Sequence, residues 1–496
     1  MSTLTAAIEA RLRERRNAPA VFWQGEEFSF AELETRSAAL AQGLMRRDIR
    51  AGDRVAVGLP NSPELLLSIL AVLRAGAVLV PLNPAYTAAE AAYIVRDAEA
   101  SLVVTGDQQA DQLRVRHVGV QVTTRIEACD DTLPLPARDA DDAALIVYTS
   151  GTTAVPKGAV LSQRALLSNL GTVAEAWKWT AADRLLLTLP CFHLHGLALG
   201  VLGSFLVGSS IVLRPRFAVQ EILALLERHR CTMFFGVPTM YNRLVTLPAD
   251  AVAATDLSRM RLWVSGSAPL TVATFNRFRD LFGHEILERF GMTEGGFMIA
   301  TPYDGPRRPG VVGVPFPGID VLVVDADAAD EGRLRPVPIN EPGELVIRGP
   351  NIFGGYWRRP EETRRAFVDG YFRSGDLAVT ESDGMIRIVG RRSTDIIKTR
   401  GFKISAVEIE NCLQSHPAVA EVAVVGLPDA DQGEAVTAVV TVVAGAVVTA
   451  EQIREHARTH LAPHKVPARV VFLDDIPCAG PGKFKKRELI ERLSAE

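Results

Sequence analysis

Cysteine is scarce in this chain. Its 496 residues hold five, Cys129, Cys191, Cys231, Cys412 and Cys478, with no CxxC pair among them. That spacing excludes a disulfide framework, and it predicts a protein of a reducing compartment with no zinc site. Long hydrophobic runs are missing too. The stretch 64–82 is interrupted by Arg74 and Pro81, short of an uninterrupted membrane span. No secretory leader is legible, because residues 4–15 mix apolar and charged side chains at helical spacing. A cytoplasmic protein with no membrane partner is expected. Charge of one sign is also lacking: 54 Lys and Arg stand against 58 Asp and Glu, a net charge of −4. Such a balance gives no pull toward nucleic acid. Repeats and low-complexity segments are absent, and no Walker A loop is present.

What the chain does have is length and alternation. It is too long for one core, so two or more domains are expected. Helix and strand signals alternate from residue 29 to residue 288. Ser29 and Glu32 form a capping-box pattern, and Ser62-Pro63 opens a second helix. Strands are expected at 54–59, 77–81, 101–105, 184–189, 210–213, 232–237, 262–264 and 285–288, with helices between them, including one over 196–207. This alternation predicts an α/β fold of parallel, helix-covered sheets. From about residue 318 the pattern turns to short alternating strands, a small β-rich subdomain. The last hundred residues form a small α/β module carrying two basic clusters. One holds Arg391, Arg392, Lys398, Arg400 and Lys403; the other holds Lys483, Lys485, Lys486 and Arg487. Lys485, Lys486 and Arg487 read equally well as a phosphate-facing patch or a solvated face.

Three apolar strands end in small polar loops. The first, residues 148–158, reads YTSGTTAVPKG. Glycines admit the backbone close to an anion, hydroxyls and N–H groups donate, and Lys157 adds a charge, so the composition suits phosphates. The second is SGSAPL (265–270) and the third is ERFGMTE (288–294). Further on stand YFRSGDL (371–377), GRRSTDIIK (390–398), GFKISAVEIE (401–410) and Gly482-Lys483. In combination these motifs resemble the acyl-adenylate-forming superfamily of acyl-CoA synthetases, adenylation domains and luciferases, over the whole chain. LPCFHLHGLALGVLG (189–203), FGVPTMYNRL (235–244) and the PYDG…RPGVVGVPFPG pattern (302–318) make it most similar to malonyl-CoA synthetases.

The resemblance implies a two-step reaction. A carboxylate attacks the α-phosphate of ATP, and the thiol of CoA then attacks the acyl-adenylate. It implies Mg2+ as cofactor, with ATP and CoA as co-substrates, in a monomer or a homodimer. It implies an adenylate-forming domain over 1–391, a hinge at 392–395 and a mobile C-terminal domain over 396–496. The loop residues Thr149, Ser150, Gly151, Thr152, Thr153 and Lys157 then hold the β- and γ-phosphates, with Glu294 and Thr152 on the metal. Gly266, Ser267, Ala268, Glu288, Arg289, Phe290, Gly291 and Met292 line the adenine side, with Phe290 stacked on the base. Thr293 reaches the α-phosphate, and Asp376 and Arg391 take the ribose hydroxyls. Lys483 bridges the carboxylate and the α-phosphate, making Lys483, Glu294 and Thr293 the catalytic set. Arg243 grips a second carboxylate on the substrate, alongside Ser265, Gly266 and His193; His193 and His195 read equally well as packed core histidines. An arginine at position 243 is expected to be costly unless paired. Lys398, Arg400 and Gly401 lie on the CoA side.

Two positions depart from the family pattern. Ala154 stands where the phosphate loop usually has glycine, and Arg400 replaces the first glycine of a Gly-Gly pair on the pantetheine path. Ligation of an aromatic or fatty acid, transfer to a carrier-protein thiol, and a catalytically silent nucleotide-binding protein remain alternatives.

Overall fold

The computed structural model describes residues 3–115, 119–149, 156–392, 395–399, 402–429, 432–480 and 483–494; the side chains of Lys403, Ala479 and Lys483 lie outside that description. Two large sheets form the first part of the chain. Among the described residues one has nine strands. Its interior strands, Ile286–Met292, Leu262–Ser265, Met233–Gly236, Arg184–Leu187, Ser210–Leu213 and Pro19–Trp23, run parallel. Antiparallel strands close both margins, Glu26–Ser29 at one and Gly296–Ala300 with Val314–Pro315 at the other. The other sheet has six strands and is parallel except for its last pair, Ala143–Thr149 and Lys157–Ser162. The loop expected to hold phosphates therefore follows the carboxyl end of a parallel strand, Ala143–Thr149, and links it to an antiparallel neighbour.

One core unites the two sheets. Val55, Leu79 and Leu145 of the smaller share it with Leu185, Ile211, Phe234 and Val264 of the larger. The helix Pro63–Arg74, apolar on every side, contributes Leu65 to Leu73 to that core. A helix without a polar stripe is stable only when buried all round. Its start follows the sequence signal: the Ser62 hydroxyl accepts the Leu65 N–H, and Pro63 needs no donor there. The capping box at Ser29 and Glu32 is formed as read, and Thr87 with Glu90 makes another.

The helix expected over 196–207 is different in kind. His195–Gly203 is π-helical and passes into a short α-helix, Ser204–Val207. Glycine at positions 196, 200 and 203 lets this segment sit hard on its neighbours. A Cβ on Gly196 would stand 2.3 Å from the Pro190 carbonyl oxygen, and one on Gly200 would stand 2.7 Å from Leu187 Cδ1. Wide turns of this type are rare and concentrate at functional sites.

Among the described residues the β-rich subdomain is a five-stranded antiparallel sheet built on Asp320–Val324, Pro342–Arg348 and Tyr371–Thr380. The C-terminal module follows. Its helices Ala406–Gln414 and Ala450–His460 and strands Val419–Asp429, Gly433–Val442 and Arg469–Phe472 form the α/β module expected there. The final helix is Lys486–Ser494.

Candidate active site

The hairpin that carries Lys157 is fixed on both sides. Thr149 and Lys157 are register partners at its loop end, while Ser150, Gly151, Thr152, Thr153 and Ala154 lie outside the described residues. Below them the Tyr148 hydroxyl donates to Asp97 at 2.7 Å, and Arg359 pairs with the same carboxylate at 2.5 Å. Gly158 has no room for a side chain, since a Cβ would come within 2.6 Å of Ile146. The second strand is then stitched to residues 354–357. Gly354 N–H donates to the Val160 carbonyl, Val160 N–H to the Gly355 carbonyl, and Trp357 N–H to the Gly158 carbonyl.

This stitching places Tyr356 at the centre of the site. Its ring lies 5.3 Å from Lys157 Nζ, a cation–π distance, and its hydroxyl donates to Glu294 Oε1 at 2.9 Å. Burial and the Glu294 charge raise the Tyr356 pKa, so it stays a neutral donor. Nothing in the sequence singled out Tyr356, because a lone tyrosine beside a glycine pair carries no spacing signal.

Glu294 reaches that position by a hairpin that sequence reading stopped short of. The strand expected to end at 288 runs on as Ile286–Met292, because Gly296–Ala300 returns beside it and continues the ladder. Gly296 turns at φ +65, and Asn169 clamps the return by bonding both the N–H and the carbonyl of Phe297. Thr293 and Glu294 are thereby held at the hairpin tip. Glu294 is buried, and its carbonyl accepts the Phe353 N–H. Gly291 and Met292 lie in the strand just before it, half-buried with Phe290.

On the opposite side of this strand lies a buried polar cluster. Arg289 is fully enclosed, with its guanidinium 4.7 Å over the Phe297 ring, and desolvation lowers its pKa to about 9. Gly266 makes room for it, since a Cβ there would stand 2.5 Å from Arg289 Nε and displace the guanidinium. Ser267 follows at φ +73, with its hydroxyl 3.5 Å from both Arg289 Nη2 and His195 Nδ1. His195 is buried at the start of the π-helical segment. Desolvation, then the Arg289 and His193 charges, hold it neutral. Its Nε2, the Ser265 hydroxyl and Arg289 Nε are buried without a hydrogen-bond partner among the described residues. Buried polar atoms are normally satisfied, so such a cluster points to a missing polar guest. His193, the histidine read from sequence as substrate-binding, is exposed against Phe192, whereas His195 joins the cluster.

Glu288, expected on the adenine side, lies at the middle of the strand Ile286–Met292. Its buried carboxyl accepts the Gly310 N–H at 3.3 Å, and burial raises its pKa to about 8. The folded state therefore keeps a proton that the unfolded chain has released anywhere between pH 4.5 and about 8. Folding stability contributed by this group falls as pH rises through that window. Glu288→Gln, which mimics the protonated form, is expected to flatten the decline. Urea midpoints measured across the window check this, and an unchanged slope would refute it.

Asp376 and Arg391 are ladder partners, joined by a 2.7 Å ion pair, and Tyr356 feels the Arg391 charge. Arg243 lies on the helix Pro238–Leu244, which Tyr241 anchors by donating to the Val264 carbonyl at 2.8 Å. Arg243 is exposed and makes no ion pair among the described residues, so the expected burial cost does not arise; Glu421 of the C-terminal module lies within its electrostatic reach. Lys398 is exposed on the strand Ile396–Thr399, and Arg400 and Gly401 lie outside the described residues. Lys483 opens the short strand Lys483–Phe484, paired through its backbone with Gly480. Lys486, read as possibly solvated, is instead largely buried and bridges Asp395 at 2.5 Å and Glu410 at 2.7 Å. A cleft of about 460 Å³ lined by Thr399, Arg458 and His464 lies on the C-terminal module and includes none of the central residues.

No described helix is long and apolar enough to cross a membrane. Comparison with known proteins agrees with the geometry. The chain is 36% identical to malonate–CoA ligase ACSF3, mitochondrial, of Mus musculus, over 94% of this chain and 87% of that one. It is also 36% identical to a feruloyl-CoA synthase of an Amycolatopsis species, over 97% of each. The ATP-bound structure of MatB from Rhodopseudomonas palustris superposes with a TM-score of 0.91 at 36% identity over 99% of both chains, and the apo structure of the same protein with 0.80. The model for the AMP-binding enzyme family matches residues 8–357, and that for the AMP-binding enzyme C-terminal domain matches residues 408–483. The first match spans the Lys157–Tyr356–Glu294 centre and the second ends on Lys483: the chain belongs to the AMP-binding enzyme family.

Proposed function

We propose that this protein is an acid–thiol ligase that joins malonate to CoA at the expense of ATP, through a malonyl-adenylate. The observation that carries the reading is the convergence of Lys157, Tyr356 and Glu294, with the Asp376–Arg391 pair beside them. In the first step a malonate oxygen attacks the α-phosphorus and pyrophosphate leaves. In the second the CoA thiol attacks the acyl carbonyl and AMP leaves. Both steps bring anions together, so positioning and charge neutralisation dominate. Lys157 and the 149–153 loop hold the outer phosphates, Thr293 the α-phosphate, and Asp376 with Arg391 the ribose. Phe290 and residues 266–268 take the adenine. Glu288, with its carboxyl engaged on Gly310, braces this wall rather than binding nucleotide.

The residues present suit Mg2+. Glu294 offers a buried carboxylate that Tyr356 orients, and a hard cation takes oxygen ligands together with substrate phosphates. The ion supplies charge neutralisation on the departing pyrophosphate. Residues 396–496 are proposed to turn about 392–395 between the two steps, bringing Lys483 to the α-phosphate in the first and Lys398, Arg400 and Gly401 to CoA in the second. A reducing compartment such as the cytoplasm suits the five free thiols.

Arg243 is the proposed anchor for the distal carboxylate, with His195 and Ser265 at the pocket floor. Its exposure leaves the guanidinium available to a ligand. Arg243→Ala is expected to lower kcat/KM for malonate by about 10- to 100-fold, the worth of a hydrogen-bonded charge pair, and to leave butyrate unchanged. AMP release measured over malonate, methylmalonate, butyrate and ferulate, with CoA or a carrier protein as acceptor, tests the assignment. The relative named for feruloyl-CoA makes an aromatic acid the specific rival. Preference for ferulate, or an Arg243→Ala enzyme with unaltered malonate kinetics, would overturn malonate as substrate.

A further inference from the structure

We propose that Cys412, His456 and His460 form a binding site for a zinc-class divalent cation on the C-terminal module, separate from the nucleotide site. Cys412 lies in the last turn of the helix Ala406–Gln414. His456 and His460 stand one turn apart at the end of the helix Ala450–His460. Residues four apart share a helix face. The two helices pack through Ile409 and Leu413 against Ile453 and Ala457 in one apolar cluster. Each of the three ligating residues sits just beside this seam, so the packing that stabilises the module also brings them together.

The result is a set of three ligand atoms, one thiol sulfur and two imidazole nitrogens, all within 4.8 Å of one another. The two imidazole rings are 4.6 Å apart between centroids. His456 Nε2 lies 3.1 Å from the Cys412 carbonyl and 2.9 Å from the Ser415 hydroxyl. Small side-chain rotations convert this spacing to the shorter ligand–ligand distances of a tetrahedral ion. One sulfur and two nitrogens suit borderline-soft cations such as Zn2+ and leave one coordination position for water. Magnesium and calcium, which prefer oxygen, are disfavoured. Binding forms a sulfur–metal bond, and the thiol proton passes to solvent.

The expectation of no zinc site rested on the absence of CxxC. His-x₃-His at 456–460 carries the same kind of signal, but its third ligand is 44 residues upstream and only the fold supplies it.

Titration of the full-length, metal-stripped protein with Co2+ tests the proposal. Expected is one equivalent of tetrahedral Co2+ with a thiolate-to-metal charge-transfer band, displaced by Zn2+. Cys412→Ser should lose the band, and His460→Ala, at an exposed position whose loss leaves the fold intact, should weaken binding. Zn2+ should raise the melting temperature of the parent protein and not of the Cys412→Ser/His460→Ala variant. Absence of the band, or a band that survives Cys412→Ser, would overturn the assignment.

Discussion

Lys483→Ala is expected to lower ATP–pyrophosphate exchange driven by malonate by about 10²- to 10³-fold, the cost of removing one preorganised charge from a transition state. The attacking carboxylate and the α-phosphate are both anionic. At about 4 Å and an effective dielectric near 20 their repulsion is of order 4 kcal/mol. A lysine ammonium between them offsets that term only as they approach, so its loss falls on the chemical step. The fold should be indifferent. Position 483 opens the strand Lys483–Phe484, whose neighbour Lys485 donates its N–H to the Pro477 carbonyl, and Phe484 packs in the cluster of Ile476 and Leu489. Thioester formation from supplied malonyl-adenylate and CoA serves as the control, and it should be affected far less. Exchange at near-parental rate in the variant would remove Lys483 from the mechanism.

Lys486→Met is expected to destabilise the protein by about 3–5 kcal/mol, because it strands two carboxylates that share one cation. The side chains of Lys486, Asp395 and Glu410 are only 10%, 13% and 17% exposed. Burial raises the pKa of Glu410 in spite of the lysine, and the two carboxylates raise that of Lys486 in spite of its burial. The Lys486 contribution is fully present below the ordinary lysine value of about 10.4 and fades as pH rises through its higher folded-state value. Urea unfolding measures the loss. Lys486→Met combined with Glu410→Gln should be less damaging than the two changes added, since the amide still accepts the Val424 N–H that Glu410 now holds. Strict additivity would show that the pair is not coupled.

Much of this architecture was legible in sequence. Alternating apolar segments with capping signals, such as Ser29 with Glu32, placed the parallel sheets, because those signals act within a turn or two of chain. The motifs placed Glu294, Asp376 and Arg391 near one another. What escaped depends on partners distant in sequence. The strand at 286–292 continues past Glu288 because Gly296–Ala300 comes back beside it. Lys486 looked like part of a basic face until the fold set Asp395 and Glu410 against it. The expected burial cost of Arg243 failed for the converse reason: helical periodicity did not reveal that position 243 faces outward. His195 and His193 differ by two positions, and the wide helical turn that buries one and exposes the other has no simple composition signal.

The position of Tyr356 has a consequence for the order in which the protein becomes competent. Its hydroxyl reaches Glu294, its ring covers Lys157, and the backbone on either side of it is bonded to Gly158 and Val160. A ribosome-bound chain that has emerged only as far as Glu294 therefore holds the phosphate hairpin without its outer strap. Until residues 354–357 follow, no truncated product can form the bonds that tie the Lys157 hairpin to Glu294 at the tip of its own hairpin.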